Sequence, residues 1–158
     1  MSDKKKQDMM HGLNVLVENH IEKTPHLRRM RAVMRALAME MKKISVSGEN
    51  LLPLAVTADE NGRVSFLARD PSMTRDDIIA RLKTHARQDG ILSAGFCTVE
   101  YESSPDAQAV LHIHAEDRMK PGFALLAISR LREDSGKEGK PWGGVRKKVP
   151  PLIFGPMN

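Results

Sequence analysis

Residues 91–132 constrain this chain more than any other stretch, because they read as three consecutive β-strands. Over 97–102 polar and apolar side chains alternate with period two, and over 109–116 they do so again. A third segment, 123–128, is apolar on both faces, as a central strand is. The register of the first hairpin follows from parity. Val99 and Tyr101 share a face of one strand, and Leu111 and Ile113 share a face of the next. These faces coincide only if paired residue numbers sum to an even value, which requires an odd-length loop such as 105–107. The same register puts Thr98, Glu100 and Glu102 on the face of Val110, His112, His114 and Glu116.

The flanking sequence supplies elements to cover that ribbon. Residues 1–8 are polar and predict a disordered lead-in. Met9, Leu13, Leu16, Val17, His20 and Ile21 fall on one face of a helix over 9–22. Thr24-Pro25 marks a second start, Thr as N-cap and Pro in the first turn, for a helix over 25–43. Its Leu27, Met30, Met34, Leu37, Met41 and Ile44 recur at three- and four-residue spacing, forming a narrow apolar seam. The seam suits packing on the chain's own sheet or first helix, and the alternative is a dimer contact.

Segments 51–58 and 63–69 form a hairpin around Asp59-Glu60-Asn61-Gly62, where Asn-Gly favours a tight reversal. Thr74 then caps a helix whose buried stripe is Ile78, Ile79, Leu82 and Ala86, ended by Gly90 in the left-handed position. The polar, glycine-rich stretch 133–144 predicts a loop, and 149–156 is apolar but too rich in proline for a central strand. The element order α-α-β-β-α-β-β-β predicts an α+β two-layer sandwich. Its sheet would be five-stranded and mostly antiparallel, with the helices on one face. The domain spans 9–132, followed by a flexible segment and tail over 133–158.

Composition narrows the class. A chain of 158 residues fits one domain and buries about 70% of its unfolded surface, so no metal or disulfide is needed to hold it. One Trp, one Tyr and four Phe leave the core to aliphatics and to ten Met. A single cysteine closes no internal disulfide. With no secretion signal and no apolar run long enough to span a bilayer, this predicts a cytoplasmic protein without a membrane partner.

Four groups of residues carry candidate chemistry. His112 and His114 stand two apart on one strand face, with Glu100 alongside. That is a donor set for a divalent transition metal, and also what a solvated strand face produces. His114-Ala115-Glu116 matches half of a zinc-deaminase signature, but the paired cysteines that complete it are missing. Cys97 lies mid-strand with the apolar face and reads as a buried small hydrophobe rather than a nucleophile. Arg28, Arg31 and Arg35 on the second helix, with Arg146, Lys147 and Lys148 near the C-terminus, could neutralise phosphates in a chain of net charge +5. Stacking aromatics for single strands are nearly absent.

No phosphate loop, dinucleotide fingerprint or nucleophile elbow occurs, so no cofactor is implied. The reading is a non-catalytic interaction or regulatory module acting as a homodimer. Its contact would use Leu27, Met30, Met34, Leu37 and Met41 with Trp142 and Phe154. Nucleic-acid binding and a metal-dependent enzyme on His112 and His114 are the alternatives.

Overall fold

The computed structural model describes residues 24–101, 109–130 and 144–154, the last with side chains from 147 onward. The helix expected over 9–22, the loop at 105–107 and Trp142 lie outside the described residues. Helix α1 spans Pro25–Ser47, strand β1 Leu54–Asp59, β2 Val64–Phe66 and helix α2 Arg75–Ala86. Strands β3 Ile91–Tyr101, β4 Ala109–Asp117, β5 Ala124–Arg130 and β6 Gly144–Val149 follow. The described strands form one open, antiparallel sheet in the order β2-β1-β3-β4-β5-β6.

The parity register holds. Cys97 faces Ile113, Val99 faces Leu111 and Thr98 faces His112, so every β3–β4 pair across this ladder sums to an even number. Leu54, Val56, Ala58, Cys97, Leu111, Ile113, Ala115 and Ala127 therefore share one face of the sheet, where they pack against α1. The helix contributes Met30, Val33, Met34, Leu37, Ala38, Met41 and Ile44 to that layer. It can approach closely because β3 carries Gly95 beneath it. A methyl group there would fall inside contact distance of the His114 carbonyl and of Val33 Cγ1. Thr24 stands at the N-cap with Pro25 in the first turn, and Gly48 at φ 79° closes the helix.

Three expectations need correction. The helices do not share a face. Ala55, Ala94 and Phe96 point away from α1 and form a second apolar layer with Ile78, Ile79, Leu82 and Ala86 of α2. Strands β1 and β3 are apolar on both sides, so each side must be covered, and a single helical layer would leave Phe96 in water. Among the described residues the sheet has six strands, not five. Gly144–Val149 pairs with β5, from Ala124↔Val149 to Ser129↔Gly144. Its exposed Lys147 and Lys148 suit an edge strand, where lysine discourages further pairing, and Pro150 follows at once. Finally, α2 ends at Ala86 with Arg87 as its cap, so the positive φ of 87° at Gly90 serves the turn into β3 rather than the helix terminus. The start of α2 is as expected: Thr74 and Asp77 form a reciprocal capping box.

Candidate functional site

The layer containing α2 covers β1 and β3 and leaves the β3–β4–β5 part of the same face for other use. Even-numbered residues line it: Phe96, Thr98 and Glu100 from β3, His112 and His114 from β4, Leu126 from β5. Arg75, the first residue of α2, closes one side, and Val149, Pro150 and Leu152 close another. Between them is a cleft of about 340 Å³, within the size range of small-molecule sites.

Its C-terminal wall is pinned by one carboxylate. Glu116, 1% exposed, accepts hydrogen bonds from the backbone N–H groups of Leu152 (2.8 Å), Ile153 (2.9 and 3.0 Å) and Phe154 (2.9 Å). Its Oε2 also lies 2.5 Å from His114 Nε2. An ionised carboxylate only accepts, so Nε2 carries the proton in this contact. The imidazole is itself buried and stacks on Phe96, with ring centroids 4.9 Å apart. Ile153 completes the dock by entering the α2 layer, and Arg118 lies over the Phe154 ring at 5.7 Å. The proline-rich tail thus folds back on its own sheet.

Burial is the largest influence on Glu116 and pushes its carboxyl up. The His114 side chain and the N–H groups of Phe154, Leu152 and Ile153 together outweigh burial and hold it below its ordinary value of about 4.5. A depressed folded value means that docking is supported in full above the ordinary value and withdrawn as pH falls through the folded one. Amide chemical shifts of Leu152, Ile153 and Phe154, followed through an acid titration, should therefore leave their docked positions only below about pH 4.5. A midpoint above that value would contradict the latch.

The trio expected to hold a metal is split, two of its members facing each other and the third turned to Glu116. His112 Nε2 lies 3.3 Å from Glu100 Oε2 at the cleft mouth, whereas His114 is turned to Glu116. Among the described residues no group of three His, Cys, Asp or Glu side chains is placed to hold a metal ion. Cys97 is fully buried, and burial pushes its thiol far up, so it is a packing residue. The seam residues Met30, Met34, Leu37 and Met41 lie in the core under the sheet with Leu27 beside them, and self-association through them would require opening the domain. Phe154 is half-buried in the docked tail.

Of the basic set, Arg28 and Arg35 are exposed on α1 and Arg31 is half-buried. Lys148 reaches over Phe123 at 5.2 Å, while Lys147 pairs with Leu126 and shares the cleft face. Arg146 lies in β6, outside the described side chains. The neighbouring Arg29 is buried and engaged elsewhere. It forms a two-pronged ion pair with Asp117, at 2.8 Å from Nε and 3.0 Å from Nη2.

Sequence reasoning missed Arg75, Phe96, Thr98 and Leu126 as cleft residues. The parity that placed Glu100 beside His112 contained the signal for Phe96 and Thr98, but nothing local foretold the tail that makes their face concave. No family model matches this chain, and no curated protein or solved structure does. None of the described helices is long and apolar enough to cross a membrane.

Proposed function

We propose that this chain is a non-catalytic regulatory module that takes a small organic ligand on its sheet face and couples occupancy to docking of the C-terminal tail. The observation that carries this reading is the cleft of about 340 Å³ whose wall, Val149, Pro150 and Leu152, adjoins the backbone pinned by Glu116. A ligand that touches that wall binds the docked state better than the undocked one. It therefore shifts the balance toward docking by its difference in affinity.

The test is a fragment screen by amide chemical shifts on the full chain, followed by hydrogen exchange. Compounds that move Phe96, Thr98 and His112 should also slow exchange at Leu152, Ile153 and Phe154. A screen in which no compound moves the cleft residues, or in which binders leave the tail amides unchanged, would remove the proposal.

A second reading, contact with nucleic acid, is supported by the exposure of Arg28 and Arg35 on the outer side of α1. It requires retention on a nucleic-acid column that weakens with salt, and absence of binding at low ionic strength excludes it.

A further inference from the structure

We infer that the cleft is a carboxylate site, selective for small organic acids with a flat apolar body. The inference rests on the proposed binding role and adds to it the chemical class of the ligand.

The charges lining the cleft are separated along it: Arg75 stands beside Phe96 at one end and Glu100 beside His112 at the other. Glu100 is 72% exposed and faces the His112 imidazole at 3.3 Å. His114 is matched to Glu116, whose oxygens are taken up by the tail. Arg75 is different. Its guanidinium lies 5.5 Å from the centroid of the Phe96 ring, and among the described residues no carboxylate pairs with it. A guanidinium held over an aromatic ring engages it through its π face, and its in-plane N–H donors stay available for a carboxylate, which can take two parallel hydrogen bonds. Asp76 and Asp77 follow on the same helix, but Asp77 is committed to the capping box through Thr74. Lys147, opposite Leu126 on this face, adds a second positive charge at the edge.

The body of the ligand is specified by the remaining walls. Phe96, Leu126, Val149, Pro150 and Leu152 are apolar and enclose the space beside Arg75. Along β3 the lining changes from Phe96 through Thr98 to Glu100, a span of about 13 Å at the usual strand rise. An acid group at the Arg75 end with a flat aromatic body toward Thr98 fits this gradient. A polar tail could then meet the Glu100–His112 pair.

The test is calorimetric titration of the full chain with three probes sharing one ring: indole-3-acetate, its neutral amide and tryptamine. The acid should bind at least about tenfold more tightly than the amide, and Arg75→Gln should erase that preference. Arg75→Lys, which keeps charge but loses the planar fork, should restore only part of it. Arg75 is exposed, so both variants should keep the wild-type melting temperature. Equal binding of acid and amide, preference for tryptamine, or an acid preference that survives Arg75→Gln would overturn the carboxylate assignment while leaving a ligand cleft in place. Failure of all three probes to bind would overturn the cleft reading as well.

Discussion

Asp117→Asn should destabilise the protein by about 3–5 kcal/mol, a fall in melting temperature of roughly 6–20 °C for a domain of this size. The side chain is fully buried at the end of β4, and both its oxygens are held by Arg29. Its Oδ1 also accepts from the backbone N–H of Met119 and so fixes the turn that follows. Replacing the carboxylate by an amide leaves a guanidinium that is only 6% exposed without a counter-charge and sets an N–H₂ against its donors. Arg29→Met should cost a similar amount, because it strands the opposite charge. The double variant Arg29→Met with Asp117→Leu should recover much of the loss, since neither desolvated charge remains. Denaturant melts of the wild type, Arg29→Met, Asp117→Leu and their double variant close the cycle and decide it. Additive single and double losses would mean that the two side chains do not act as a pair.

This pair shows where the sequence was legible and where it was not. Alternation and parity are local properties, and they were enough to order β3 and β4 and to put His112 beside Glu100. The seam of α1 and the stripe Ile78, Ile79, Leu82 and Ala86 of α2 were equally readable, because helical periodicity identifies a buried face without naming its partner. What covers each face was not readable. Arg29 and Asp117 are 88 residues apart, and an arginine among Arg28, Arg29 and Arg31 looks like part of a solvated basic helix. Only the rotation of α1 on the sheet singles out Arg29. Strand β6 was hidden because Val145-Arg146-Lys147-Lys148-Val149 is too basic to stand out as a strand, and its pairing partner, not its composition, orders it.

Glu116 and Asp117 are neighbours on a strand, so they point to opposite faces. One pins the tail and the other pins α1. The cleft depends on the first. Glu116→Gln should release residues 152–154 while leaving the sheet and both helices in place. The amide nitrogen can accept nothing, so N–H groups of Leu152, Ile153 or Phe154, or the His114 Nε2 proton, would meet a donor in a buried setting. Hydrogen bonds to a charged group contribute about 1.5–3 kcal/mol each, so losing even two of them should speed exchange at these tail amides by about a hundredfold or more. The tail can undock without unfolding the core, and that sets a ceiling on the global loss. Exchange in β3 and β4 should consequently change far less. Ligands of the cleft should weaken in step, because the Leu152 end of their wall is then present only part of the time, while Val149 stays paired in β6. Tail amides as protected in the variant as in the wild type would show that the apolar contacts of Ile153 with the α2 layer, not the carboxylate, hold the tail. A ligand affinity unchanged in a variant with a released tail would place the binding determinants on the sheet alone.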